Sequence, residues 1–212
     1  VQSILYSVSN VIIQSAVNSL GTNNVAAWAA YGKVDGLFWM MINALGIAAT
    51  TFVGQNYGAQ KYDRIKDGVR MGVILSILIH IPLSAIEIFG GKRIASLMVT
   101  DPSVLELCRQ YLLIVGIFVF FLGFLMVFRN CIQGMGNTWI PMLSGGLEVI
   151  SRLIFGYWLG RHSFMGIAAA EASAWISVSI MLGSSFFILF RKVLRTQTPE
   201  NTTDTKNIRT IS

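Results

Sequence analysis

Polar side chains inside apolar stretches are the features of this sequence most able to do chemistry. Near the start of the chain, Gln, Tyr and Asn recur at every fourth residue, at Gln2, Tyr6, Asn10, Gln14 and Asn18. This spacing places them on one stripe of a helix. Two interpretations stay open: hydrogen bonds between neighbouring helices, which average about 0.6 kcal/mol each, or the lining of a polar cavity.

A second polar face follows at the same interval. Asp35, Trp39 and Asn43 are four residues apart, and Lys33 precedes them. Charged side chains in an apolar segment are expected to be paired, solvated or functional. Lys33 and Asp35 lie near one end of the segment, so they could also reach its polar boundary.

Three more charges interrupt the apolar second half of the chain. Glu148 and Arg152 are four residues apart in the order that favours an ion pair within one helix, so we expect a structural pair. Glu171 has no charged neighbour close in sequence. It could be a satisfied structural carboxylate, or it could line a cavity and carry a proton.

Signatures of enzymes and metal sites are missing. His80 and His162 are isolated, no phosphate-binding glycine loop or nucleophile elbow is present, and Cys108 and Cys131 have no metal-ligand spacing. We therefore expect no enzyme activity, no catalytic residue, no bound metal and no cofactor. Transport driven by an ion gradient would need only a polar cavity and a carboxylate that can change its occupancy.

The composition indicates that a lipid bilayer surrounds these groups. Of 212 residues, 54% are hydrophobic and 12% are charged, against roughly 25% charged in a soluble domain. No charged residue occurs in 1–32, 36–60, 110–128, 130–147 or 172–190. Uncharged stretches of this length are typical of bilayer spans of about 20 residues.

The sequence therefore predicts an all-α polytopic bundle of six transmembrane helices. We expect spans at about residues 1–20, 25–55, 71–89, 102–128, 140–159 and 166–190, with a charged loop at 60–70 and a kink at Pro82. Residues 191–212 are polar and lack periodicity, as in a disordered tail. The chain starts with Val and no signal peptide precedes its first span, so we expect it to be truncated at its front.

The basic residues predict the direction of insertion. Eight lie on one side: four between Gln60 and Arg70, then Arg129, Arg191, Lys192 and Arg195. The other side has Lys92, Arg93 and Arg161, or five with Lys33 and Arg109. The richer side belongs in the cytoplasm, which predicts a multi-pass inner or plasma membrane protein with both ends of this chain cytoplasmic.

Three segments resemble the second six-helix half of the multidrug and toxic compound extrusion (MATE) family. They are LG followed by AAWAAY at residues 20–31, VGQNYGA at residues 53–59, and RNCIQGMGNT at residues 129–138 with Pro141-Met142. Their order and spacing fit over residues 1–190.

The resemblance implies a twelve-helix transporter of two lobes that alternates between outward-open and inward-open states. This chain would be the C-terminal lobe, with the N-terminal lobe, the bilayer and a small organic substrate as partners, and no nucleic acid. Family members export amphipathic, often cationic, drugs or toxic compounds in exchange for Na⁺ or H⁺. Tyr6, Asn10, Gln14, Asn18, Asp35, Trp39, Asn43 and Glu171 would line the C-lobe cavity, and Glu148 with Arg152 would brace it.

One departure from the family bears on ion coupling. A branch of the family uses acidic residues in the first and fourth spans of this lobe. In this chain those two spans have no carboxylate deeper than Glu106, which lies near the outer end of the fourth span, and Tyr6 takes the place of the acidic residue in the first. The resemblance then favours a coupling Asp in the N-terminal lobe. Two other readings stay open: a flippase for lipid-linked oligosaccharides of the same superfamily, which Lys33, Arg152 and Arg161 would suit, and a non-transporting membrane scaffold or receptor domain.

Overall fold

The computed structural model describes residues 2–160 and 163–196, and the side chains of a few residues within these ranges, Tyr6 among them, lie outside the description. The described chain is helical and contains no strand. The helices are α1 (Gln2–Ser19), α2 (Thr22–Gly58), α3 (Tyr62–Ala85), α4 (Gly91–Ala95), α5 (Pro102–Gly134), α6 (Trp139–Phe155) and α7 (Phe164–Thr196). Wide π turns follow α3 at Ile86–Gly90 and α6 at Gly156–Gly160.

This architecture confirms the predicted all-α membrane fold. Four helical segments are long and apolar enough to cross a bilayer: Thr22–Gly58, Tyr62–Ala95, Pro102–Gly134 and Phe164–Arg195. The other two predicted spans correspond to α1, with 18 residues, and α6, with 17 residues and its π turn. Short turns follow α1 and α5, at Gly21 and Gly136, whose positive φ angles of 100° and 81° suit glycine.

Several helix ends differ from the prediction. The stretch 60–70, expected to be a charged loop, contains the first two turns of α3, which begins at Tyr62. Likewise α5 continues from Phe128 to Gly134, and α7 continues from Phe190 to Thr196. Lys, Arg and Glu are good helix formers, so a helix can continue into water after its apolar span has ended. The rest of the predicted tail, residues 197–212, lies outside the described residues.

Helix α5 is the centre of the bundle and packs against α2, α3 and α7. Its apolar side chains surround the helix on all sides, as expected for an element enclosed by others. Tyr111, Leu112, Val115 and Leu125 are completely buried.

The start of α5 follows its sequence signal closely. The Asp101 carboxylate accepts a hydrogen bond from the Ser103 backbone N–H at 2.8 Å, and Pro102 occupies the first helical position. Hydrogen bonds from the Ser103 hydroxyl and backbone N–H lower the pKa of the Asp101 carboxyl below its usual range. The predicted cap is confirmed.

Two of the segments that carried the family resemblance lie side by side where α2 crosses α5. The Thr50 hydroxyl donates to the Asn130 side-chain oxygen at 2.9 Å. A Cβ atom on Gly134 would lie 2.7 Å from the Thr50 carbonyl oxygen and 3.2 Å from the Gly54 nitrogen. Small residues are therefore required at this crossing because the two backbones nearly touch.

Candidate functional site

A cavity of about 720 Å³ lies inside the bundle, and we call it the central cavity. Its lining from α1 and α2 is Asn10, Gln14, Trp28, Tyr31, Gly32, Asp35, Trp39 and Asn43. The lining from α5, α6 and α7 is Met126, Arg129, Asn130, Gln133, Glu148, Arg152, Glu171 and Trp175. The volume falls within the range of about 300–1,000 Å³ that is common for small-molecule sites.

The polar stripe of α1 contributes two of its predicted members to this lining. Asn10 and Gln14 face the cavity, and the Gln14 side-chain amide donates to the Asn18 side-chain oxygen at 3.0 Å. Asn18 itself is exposed and does not line the central cavity. The side chain of Tyr6 is outside the described part of the chain.

The polar face of α2 lies opposite this stripe. Asp35, Trp39 and Asn43 all line the central cavity, as the spacing of four predicts. The Asn43 side chain donates to the Trp39 backbone carbonyl at 2.9 Å. Lys33 is exposed and is not among the lining residues, so it remains apart from the Asp35 face.

Charged side chains from α5, α6 and α7 form a connected network in the cavity wall. Glu148 accepts from Arg152 Nη2 at 3.1 Å, which is the predicted pair within one helix. Its other oxygen accepts from Arg129 Nη2 at 3.0 Å. Arg152 Nη2 also lies 3.9 Å from Glu171 Oε1, and the Tyr111 hydroxyl donates to Glu171 Oε2 at 2.8 Å.

Burial makes this pairing necessary. Arg129, Glu148, Arg152 and Glu171 are 4%, 3%, 8% and 7% exposed. Removing an ion from water costs several kcal/mol even after relaxation, and close opposite charges offset that cost. The network therefore lets the bundle hold four ions beside an otherwise apolar core.

The position of Arg129 corrects one expectation. The predicted direction of insertion includes Arg129 among the basic residues of the cytoplasmic side. In the structure Arg129 lies within α5, where it is buried and paired with Glu148. Without it the richer side has seven basic residues instead of eight, so the predicted direction of insertion is unchanged. Arg161, counted on the opposite side, lies outside the described residues, as does His162.

Sequence reasoning also missed the aromatic side of the cavity and one buried carboxylate. Trp28, Tyr31 and Trp175 line the cavity, and the ring centres of Trp28 and Tyr31 are 5.5 Å apart. Their spacing along the chain resembles that of ordinary core residues. Glu87, in the π turn after α3, is 2% exposed and does not line the central cavity.

This arrangement suits a cation more than an anion. Aromatic rings attract cations through their quadrupoles, and the Asp35 and Glu171 carboxylates both line the cavity. The two arginines of the wall are both held by Glu148. Within the described ranges, no group of three or more His, Cys, Asp or Glu side chains could hold a metal ion, and the two cysteines are buried free thiols.

A protein-family model and several known proteins match this chain. The protein-family model MatE matches residues 1–158. "Probable multidrug resistance protein NorM" of Thermotoga maritima is 26% identical over 161 residues, which are 74% of this chain and 34% of that protein. "Probable multidrug resistance protein YoeA" of Bacillus subtilis is 25% identical over 198 residues, which are 91% of this chain and 42% of that protein.

Solved structures agree on the fold. The Vibrio cholerae MATE transporter VcmN in its bent form superposes with a TM-score of 0.77 at 18% sequence identity, covering 92% of this chain and 44% of VcmN. The present chain thus spans less than half the length of each of these three proteins.

Proposed function

The chain belongs to the MatE family, and on that premise we propose that it is the C-terminal six-helix half of a secondary active transporter. The complete protein exports amphipathic organic cations and takes up Na⁺ or H⁺ in exchange. Its N-terminal six-helix lobe supplies the second wall of the transport pathway, and the two lobes move against each other. The protein works in the inner or plasma membrane, with both ends of this chain in the cytoplasm.

The central cavity is the observation that carries this proposal. Polar groups from α1 and α2, three carboxylates and several aromatic rings meet inside a membrane bundle, where polar groups are costly unless they bind something. An organic cation would gain from the Asp35 and Glu171 carboxylates and from the half-buried rings of Trp28 and Trp39, which also line the cavity. A scaffold would have no use for such a lined space.

The same charges argue against a flippase for anionic lipid-linked substrates. Arg129 and Arg152 face the cavity, but each lies within 3.1 Å of the Glu148 carboxylate. Lys33 is exposed away from the lining. The lining holds three acidic side chains, Asp35, Glu148 and Glu171, against these two arginines, so an anionic headgroup would meet no excess of positive charge.

Ion coupling is tested by neutralising the cavity carboxylates in the full-length transporter. Asp35→Asn combined with Glu171→Gln should reduce drug-stimulated ion flux in proteoliposomes by about tenfold or more, equivalent to losing about 1.4 kcal/mol of interaction. Flux is measured under a Na⁺ gradient and, separately, under a proton gradient.

The matched control is Glu106→Gln, because the Glu106 side chain is 41% exposed and pairs with Arg109 at 2.6 Å outside the cavity. It should leave the flux unchanged. Unaltered flux in the double variant, with wild-type amounts of protein in the membrane, would exclude both carboxylates from coupling. Failure of the wild-type protein to export any organic cation would overturn the proposed substrate class.

A further inference from the structure

A second cavity opens beside the central one. We call it the side crevice; it has a volume of about 620 Å³ and lies between α1, the π turn after α6, and α7. Its lining includes Val11, Ile12 and Ser15 from α1, Gly156 and Tyr157 from the π turn, and Ala170 from α7. Arg152 and Glu171 line both cavities, so these two side chains form the wall between them.

Apart from that wall, the side crevice is built for an apolar occupant. Val11, Ile12 and Tyr157 line the side crevice with large apolar side chains, whereas Gly156 and Ala170 are small and leave it open. A Cβ atom on Gly156 would meet no atom within 4 Å. The space beside Gly156 is therefore a real opening, which a larger side chain would fill.

The two charges of the wall are not equally available. Arg152 Nη2 lies 3.1 Å from Glu148 and only 3.9 Å from Glu171, so it is held mainly by Glu148. One oxygen of Glu171 accepts from Tyr111 at 2.8 Å, while Oε1 is beyond hydrogen-bond distance of Arg152. The wall thus presents a carboxylate oxygen in preference to a guanidinium group.

We propose that the side crevice binds the apolar tail of an amphipathic organic cation whose charged group lies against Glu171 in the central cavity. The inference rests on the proposed function for the substrate class. It adds a second subsite, which selects substrates by the length of their apolar tails. The wall shared by both cavities lets one molecule place its head in one and its tail in the other. An anionic amphiphile is disfavoured because two carboxylates, Glu148 and Glu171, lie within 4 Å of Arg152 and together more than offset its charge.

Binding of three amphiphiles to the purified full-length transporter tests this subsite. The probes are octyltrimethylammonium, its short homologue butyltrimethylammonium, and octyl sulfate, which has the longer tail on an anionic head. Burying four further methylene groups should make the octyl cation bind about tenfold or more tightly than the butyl cation. Octyl sulfate should bind more weakly than the octyl cation.

Gly156→Leu fills the side crevice, and its backbone is already helical with φ −64° and ψ −40°. It should reduce the preference for the octyl over the butyl cation to about threefold or less, because the tail loses its place of burial. Gly146→Leu is the matched control. It lies in α6, ten residues before Gly156, also has nothing within 4 Å of an added Cβ, and lines neither cavity, so it should retain the full preference.

Ser15→Leu narrows the same crevice from α1 and gives a second variant if Gly156→Leu fails to fold. An octyl preference that survives in the folded crevice variants would overturn the inference, as would equal or tighter binding of octyl sulfate. A wild-type protein that binds the cations with this preference, yet exports none of them, would contradict the proposed function and leave the subsite supported.

Discussion

At the scale of single residues, Glu148 makes the charged wall of the cavity possible. Its two carboxylate oxygens lie 3.0 Å from Arg129 and 3.1 Å from Arg152, and it is 3% exposed. Two guanidinium groups this close to one another would repel in a region of low dielectric constant. The carboxylate between them offsets both that repulsion and the loss of hydration.

We therefore expect Glu148→Gln to destabilise the full-length transporter strongly. Removing one partner of a buried ion pair costs about 3–5 kcal/mol, because the remaining charge stays buried without compensation. The substitution keeps the size of the side chain, so the loss reports on charge and not on packing. The measurement is the free energy of unfolding in mild detergent, followed by tryptophan fluorescence.

Glu106→Gln serves as the comparison, since Glu106 forms ion pairs with Lys92 and Arg109 that are largely exposed. Solvent and salt screen such pairs, so the unfolding midpoint should hardly move. If the two substitutions lowered the free energy of unfolding equally, burial would not explain the stability that Glu148 contributes.

Sequence distance decided which parts of this network could be predicted. Glu148 and Arg152 are four residues apart on one helix, so their pairing follows from helix geometry alone. Arg129 is 19 residues from Glu148, and Tyr111 is 60 residues from Glu171. Those contacts depend on how three helices pack, and no local rule in the sequence fixes that.

At the scale of elements, the crossing of α2 and α5 explains the glycine at position 134, in the third of the family-like segments. The added Cβ of Gly134 would lie 2.7 Å from the Thr50 carbonyl oxygen and 3.0 Å from Val53 Cβ. Both contacts are with rigid parts of α2. Any side chain at this position would have to push the helices apart.

Gly134→Ala should therefore destabilise the protein by about 1–3 kcal/mol, the usual cost of overpacking a tight contact. Gly146→Ala is the matched control, because an added Cβ there meets nothing within 4 Å. Its better helix propensity should stabilise the protein by up to about 1 kcal/mol. Unfolding in detergent measures both, and two changes of the same sign would contradict the close approach seen at Gly134.

The order of the elements was predictable, whereas several of their ends were not. Charge-free stretches predict where the chain crosses the bilayer, and a helix covers each of the six predicted spans. Hydropathy reports on the surroundings of a residue and not on its backbone. The charges of Asp63, Arg64 and Lys66 therefore predict a loop, although these exposed residues belong to the first turns of α3.

At the scale of the whole molecule, helix length and charge together predict how the bundle sits in the membrane. The segment Tyr62–Ala95 has 34 residues, about 50 Å of helix at about 1.5 Å per residue. The hydrocarbon core of a bilayer is about 30 Å thick. Both ends of the segment must then protrude, with Lys66 at one end and Lys92 at the other.

Single cysteines at these positions in the full-length transporter test the orientation. Lys92→Cys should react with a membrane-impermeant maleimide in intact cells, whereas Lys66→Cys and Arg191→Cys should react only after the membrane is opened. The reason is that the end carrying Lys66 and Arg191 holds most of the basic residues, which favour the cytoplasm. Cys108 and Cys131 are buried in α5, so they should add little background. Labelling of Lys66→Cys in intact cells would contradict the predicted orientation of the bundle.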